Sequence, residues 1–374
     1  MKKILSVILV LVLTLSLCSI ALADTIKIGG IAPLTGPVAN YGIMCREGID
    51  LYVEEINNAG GLLGEQIELT WMDDTHDAVE AANAYNQLIS SGISALFGPV
   101  TTTPTLAVAP LAAADNITMI SPSATAYDVT TGNPSVFRTC FLDPFQAELL
   151  AQLSVQNLEA KKVAVLYDNT NDYSIGLYES FVKKAEELGA EVVSVEAAVE
   201  NDADYTPQLT KIADTEPDAM LIAYYYESAA LVLRQSQDVG LDCWMLGADG
   251  WSGIEKQLVG ESVLLDKAIY CDSFSPDDDS EQAQAFVASF TAKYGKTPSG
   301  FNSLGYDTAK ILLTAIENAG GVEDKQAIVD QMKATSLDCV GGHITFNDHN
   351  DPIKSAFMMG FVDGQPTLNT RIDP

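Results

Sequence analysis

Positive charge, histidine and paired cysteine are all scarce in this sequence. Its 374 residues carry 20 Lys and Arg against 51 Asp and Glu. A surface with that balance repels nucleic acid and anionic membrane faces, so no nucleic-acid partner is expected. The only histidines are His76, His343 and His349. Each falls in a loop or at a strand end with no partner pattern around it, and each reads as a surface residue. Six cysteines are scattered without a C-x-x-C pair, which argues against zinc. Gly-x-Ser-x-Gly, His-Glu-x-x-His and the phosphate-cradling P-loop are missing. Gly29-Gly30 is not a full dinucleotide fingerprint. The chain therefore does not read as an enzyme, and no metal or cofactor is expected.

What is present starts with a leader. Lys2 and Lys3 form a basic region, Ile4 to Ile20 is almost wholly apolar, and Ala21-Leu22-Ala23 fits a small-residue cleavage site. Residues 1–23 read as a signal peptide, which places the mature chain beyond the inner membrane, in the periplasm or at the cell surface. The apolar run is short for a membrane span, and no second one follows. Lipid anchoring at Cys18 ranks second, because Leu17 stands where a small residue is expected. Without the leader there are 18 basic residues against 51 acidic ones, a net charge of −33. Five cysteines remain: Cys45, Cys140, Cys243, Cys271 and Cys339. Outside the cytoplasm a disulfide is allowed but not required.

From Thr25 the pattern alternates strand and helix. Thr25–Ala32 is β-rich, and Ile49, Tyr52, Val53 and Ile56 give the next helix one apolar face. Gln66–Met72 reads as a strand, and Asp77-Ala-Val-Glu80 as a capped helix start. Ile93–Phe97 and Ile117–Ser121 continue the alternation. It restarts at Val136–Cys140 and runs through strands at 162–167, 191–195, 219–225, 244–246 and 268–274. Helices follow at 281–294, 303–318 and 324–334, and strand-like runs at 343–346 and 355–362 close the chain. Such repetition implies α/β lobes built on mostly parallel sheets covered by helices on both faces. Asp277-Asp278-Asp279 reads as a solvated turn.

In such sheets, ligands sit beyond the carboxyl ends of the strands. Those ends carry Tyr41, Thr101-Thr102, Ser121-Pro-Ser-Ala-Thr125, Tyr173, Tyr224-Tyr225-Tyr226 and Asp249. The threonines either cap their own helix or offer hydroxyl and backbone N–H to a carboxylate. The whole set suits a small zwitterion. Thr102 and Thr125 would hold its carboxylate, Asp249 its ammonium, and the aromatics an apolar side chain. Trp251 either narrows this pocket or packs in the core.

Four segments, in this order and spacing, resemble the periplasmic branched-chain amino acid binding proteins, the type I solute-binding components of ABC importers. They are Ile26-Lys-Ile-Gly-Gly-Ile-Ala-Pro-Leu-Thr-Gly-Pro37, Ile56-Asn-Asn-Ala-Gly-Gly61, Met119-Ile-Ser-Pro-Ser-Ala-Thr125 and Leu233-Arg-Gln-Ser-Gln-Asp-Val-Gly240. The resemblance implies a two-lobe α/β fold with three hinge crossings and ligand in the cleft. It puts the first lobe at 24–142 with 275–350, and the second at 143–274 with 351–374. It implies that Thr101, Thr102, Ser123, Ala124 and Thr125 hold the ligand's polar end on the first lobe. Tyr173 and Tyr226 would close over the ligand, Asp249 would pair with its ammonium, and Tyr41 and Phe301 would flank its side chain. The implied partners are an amino acid and a membrane permease, with the protein itself a monomer. Asp249 departs from the family's usual glutamate, and His76 and Thr101 occupy the positions of its first-lobe disulfide.

Overall fold

The computed structural model describes residues 25–373, so the leader, Cys18 and Pro374 lie outside it. Strands β1 (Ile26–Ala32), β2 (Ile67–Asp73), β3 (Ala95–Phe97), β4 (Thr118–Ser121) and β5 (Val136–Arg138) form a parallel sheet in the order β2-β1-β3-β4-β5. Helices α1 (Ala39–Asn58), α2 (Ala78–Ser90) and α3 (Thr102–Ala114) connect them. The Asp77 side chain caps α2 by accepting from the backbone N–H of Val79 and Glu80. That helix then buries Ala81, Ala84, Tyr85 and Leu88, one face at helical spacing.

The second sheet holds β6 (Lys162–Tyr167), β7 (Glu191–Ala197), β8 (Ala219–Ala223), β9 (Trp244–Gly247) and β10 (Ala268–Asp272) in parallel. Strands β14 (Ala356–Val362) and β15 (Gln365–Ile372) extend it antiparallel beyond β10. Its helices are α4 (Asp143–Gln152), α5 (Asp172–Glu187), α6 (Thr206–Ala213) and α7 (Tyr226–Asp238). Sequence pattern alone misses α6 and β15. The first is short, and the second is a polar run with little alternation.

Between β10 and β14 the chain returns to the first sheet. There α8 (Glu281–Tyr294), α9 (Gly300–Ala319), α10 (Lys325–Lys333) and a small sheet of β11 (Ser336–Cys339), β12 (Gly342–Phe346) and β13 (Pro352–Ile353) complete that lobe. Ile311, Leu312, Ile316 and Ile328 share one apolar core with Ile26, Ile28, Phe97 and Phe137. The chain therefore crosses between lobes at 138–143, 272–281 and 353–356. In each sheet the strand order reverses once, beside β1 and beside β6, which opens a crevice at the strand carboxyl ends.

One expectation is corrected here. Asp278 is not solvated: it is buried, accepts from Ser280 N–H, and pairs with Arg371 at 2.8 Å. It pins β15 to the second crossing. The five cysteines of the described residues are buried free thiols. No helix among those residues is long and apolar enough to cross a membrane.

Candidate functional site

Loops after β1, β3 and β4 make the first wall of the cleft. At Gly98 φ is +86°, and a Cβ there would lie 2.1 Å from the Ile31 carbonyl oxygen, so the turn into residues 98–101 needs glycine. The Ser121 hydroxyl donates to Pro99 O at 2.6 Å, and that of Ser123 to Val100 O at 2.8 Å. These bonds lock the two loops together beside the N-terminus of α3, a partly positive end. Thr101 precedes that helix but makes no capping bond with its side chain. Its hydroxyl lies 2.8 Å from His76 Nδ1. A hydrogen bond thus joins the two positions where the resemblance places a disulfide. His76 packs edge-on to Tyr225, with ring centres 5.7 Å apart, so it belongs to the cleft and not to the open surface. His343 and His349 are exposed.

Thr102 is the first residue of α3 and is buried. Thr125 is buried as well, and its Oγ1 has no hydrogen-bond partner among the described residues. It faces Asp143 without reaching hydrogen-bond geometry. The Ala124 carbonyl accepts from Arg138 Nη1 at 2.9 Å, and the Ala126 carbonyl from the same nitrogen at 2.7 Å. Arg138 is fully buried and paired with Asp351 at 2.8 Å. It braces the Ser123–Thr125 loop from beneath.

The second wall is built on α4, α5, β8 and β9. Asp249 opens a short 3-10 turn after β9. Its Oδ1 accepts from Gln146 Nε2 at 3.1 Å and from the Tyr173 hydroxyl at 3.2 Å. Gln146 also donates to Asp143 Oδ1 at 3.1 Å and accepts from Asp249 N–H at 3.0 Å. Tyr173 stacks on Tyr225 at 4.9 Å. The three consecutive tyrosines diverge. Tyr224 donates to Tyr167 O and Ala198 O inside its own lobe. Tyr225 faces the cleft, and the Tyr226 hydroxyl crosses to Pro37 O at 2.8 Å. Tyr41 crosses in the other direction. Its hydroxyl donates to the Gly250 carbonyl and accepts from Tyr226 N–H at 3.0 Å, and its ring stacks on Phe301 at 4.4 Å. These bonds hold the lobes shut.

Between the walls lies a small, nearly filled cavity, with room for only about 10 Å3. Tyr41, Thr101, Ser123 and Phe301 line it from the first lobe, and Tyr173, Tyr225, Asp249 and Gly250 from the second. Larger hollows near Leu241 and Asp242 open at the opposite end of the second sheet, away from the strand carboxyl ends. Thr102, Ala124 and Thr125 sit just behind the first-lobe lining, buried. Tyr226 fastens the lobes, and the neighbour Tyr225 forms the wall. Trp251 is a core residue, not a wall. It is fully buried, donates to Ile222 O at 3.2 Å, and lies where a Cβ on Gly247 would strike its ring at 2.0 Å. The sequence reading also passed over Asp143, Gln146, Gly250 and Arg138. Only Asp143, beside Pro144 at a helix start, carried any signal.

Burial pushes Asp249 up to about 6, and the bonds from Gln146 and Tyr173 keep it from rising further. Burial raises Asp143 well above the usual carboxylate range, and the nearby Asp249 charge adds to this. Its Oδ2 has no partner among the described residues. A cation beside this pair relieves both, whereas an anion there is repelled. No metal-holding cluster of His, Cys, Asp and Glu occurs among the described residues.

Residues 25–365 match the family model described as periplasmic binding protein. The chain is 31% identical over 351 residues to a Leu/Ile/Val-binding protein of Rhizobium johnstonii, covering 93% of this chain and 94% of that one. It superposes on a Streptococcus pneumoniae branched-chain amino acid transporter substrate-binding protein solved with isoleucine, with TM-score 0.87 and 31% identity, covering 94% and 100% of the two chains. A Rhodopseudomonas palustris solute-binding protein of an ABC transporter, solved with benzoate, shares the fold at TM-score 0.86 and 23% identity over 94% and 97% of the chains. The chain belongs to the periplasmic binding proteins, within the group of the Leu/Ile/Val-binding proteins, a family of ABC-transporter solute-binding proteins and not of enzymes.

Proposed function

We propose that this protein captures a free amino acid with a small apolar side chain, branched-chain ones foremost, outside the cytoplasm and delivers it to an ABC permease. The observation that carries this is the buried Asp249 set across one small cavity from Ser123, Thr101 and the α3 N-terminus. A carboxylate fits the N-terminus of α3 and the hydroxyls of Thr101 and Thr125. An ammonium fits Asp249, with the Ser123 carbonyl beside it. Tyr41, Tyr225 and Phe301 enclose the side chain. A ligand lacking an ammonium would leave Asp249 buried and unpaired, which is costly.

The lobes, joined by the crossings at 138–143, 272–281 and 353–356, close by hinge motion. Only contacts made to both lobes at once drive that closure. Each charge-assisted hydrogen bond contributes about 1.5–3 kcal/mol and the buried side chain a similar amount. Against the costs of ordering, this yields dissociation constants of micromolar order, about −8 kcal/mol. The test is a thermal-shift screen of refolded, ligand-free mature protein against the amino acids and a panel of aromatic acids. Bound ligand raises apparent stability by mass action. A selective rise with leucine, isoleucine or valine supports the proposal. A rise only with benzoate-like acids overturns it while leaving the family intact.

A further inference from the structure

All three crossings send a side chain to one point, and the group at its centre is Lys354. It lies on the third crossing, between β13 and β14, and is 3% exposed. Its Nζ has no hydrogen-bond partner among the described residues. The groups facing it come from every neighbouring element: Asp307 of α9, Cys140 of the first crossing, Cys339 of β11 and Asp272 at the end of β10, with Cys271 beside Asp272. Gly341 leaves the room: a Cβ there would lie 2.9 Å from Lys354 Nζ and 3.2 Å from the Ser273 carbonyl oxygen of the second crossing.

Each carboxylate has backbone donors of its own, although burial raises both and the Lys354 charge opposes that rise. Asp307 accepts from Val340 N–H at 2.8 Å and Gly341 N–H at 2.9 Å. Asp272 accepts from Ser273 N–H at 2.7 Å. The ammonium alone has near neighbours and no bond. A buried cation without an acceptor is the costly member of such a cluster. It sits on a crossing between the lobes, which Tyr41 and Tyr226 bond together in this shut conformation. Any rotation that brings Nζ to a carboxylate, to the Ser273 carbonyl or to solvent lowers its free energy.

We propose that Lys354 sets the resting position of the hinge: its unpaired ammonium disfavours the shut conformation, holding the empty protein open until ligand contacts outweigh it. Lys354 is thus a positioning residue for closure that never touches ligand. The inference rests on binding by lobe closure, not on which solute is bound.

The test compares wild type, Lys354→Met and Lys354→Arg. Small-angle X-ray scattering of the ligand-free proteins reads closure, and calorimetry with leucine reads affinity. Lys354→Met is expected to be more compact than wild type when empty and to bind about tenfold tighter, while Lys354→Arg keeps the wild-type radius. A merely structural lysine gives a Met variant of unchanged or larger radius with equal or weaker binding, and that overturns the proposal. If Lys354→Met fails to fold, empty wild type from pH 8 to pH 10 decides. Burial lowers the lysine's pKa in the shut form, so losing the proton relieves that form. The neighbouring thiols are pushed upward and stay neutral in this range. The radius should fall as pH rises, and a constant or growing radius overturns the proposal. Failure of every amino acid to bind would defeat the proposed function, yet these ligand-free radii would still decide the role of Lys354.

Discussion

Asp249 on the second wall accepts from Gln146 and Tyr173, whereas the Thr125 hydroxyl, just behind the first wall and facing Asp143, has no hydrogen-bond partner among the described residues. One side of the cleft has its carboxylate aimed and braced. The other keeps a hydroxyl and a helix N-terminus in reserve. An ordered acceptor needs little rearrangement to take an ammonium, so more of its interaction appears as affinity. An unsatisfied hydroxyl gains a bond only when the ligand completes it. On the proposed reading, the second lobe would recognise the ammonium and the first would complete the carboxylate site.

The largest effect should come from removing the braced acceptor. Asp249→Ala is expected to weaken amino-acid binding at least a hundredfold, about 3 kcal/mol, in calorimetry. An equal and small loss in Asp249→Ala and Asp278→Ala would defeat the site assignment. Next comes Gly250→Ala. Its Cβ would lie 2.6 Å from the Tyr173 hydroxyl and 3.0 Å from Tyr225, so the second wall must shift. A loss of about tenfold to a hundredfold is expected, with little change in the melting temperature of the empty protein. Thr125→Val removes the hydroxyl held in reserve and should cost about tenfold, since a single neutral hydrogen bond contributes about 1 kcal/mol.

Acidity separates the walls differently. Asp249 has a raised pKa of about 6 and must be ionised to face an ammonium. Below that pH, binding has to expel a proton, so affinity should fall up to tenfold for each further pH unit. Above pH 7 it should be flat until the ligand's own amine titrates. Asp249→Asn should abolish this slope, and a slope that persists would shift the pH effect to other groups.

Much of this was legible because each local signal had one physical cause. The buried strands show as apolar runs, and Asp77 stands where a cap must stand. Asp249 follows a strand that ends at the crevice, which a topological rule marks as a ligand position. Other residues were illegible for equally definite reasons. Which of Tyr224, Tyr225 and Tyr226 enters the cavity depends on how the chain turns from β8 into α7, and no composition encodes that turn. Gln146 looks like any mid-helix glutamine until folding sets it between two carboxyls. Trp251 was ambiguous because the room under its ring comes from Gly247, four residues earlier. Asp278 passed for a solvated turn because its partner, Arg371, is 93 positions away in sequence.

The smallest effects should lie away from the cleft. Asp278→Ala breaks the buried pair with Arg371 and should lower stability by about 1–3 kcal/mol while leaving affinity for amino acids unchanged. The excess of 51 acidic over 20 basic residues makes the compact state repel itself, so added salt should raise the melting temperature by a few degrees with little effect on binding.

The most direct measurement of the central claim is calorimetric titration of refolded wild type with leucine and with 4-methylpentanoate, the same carbon skeleton without the amino group, at pH 7.5. Leucine should bind with a dissociation constant of micromolar order and 4-methylpentanoate at least a hundredfold more weakly, because only leucine neutralises Asp249. Equal affinity for the two, or preference for 4-methylpentanoate, would contradict the claim that the braced carboxylate of the second wall selects the ligand.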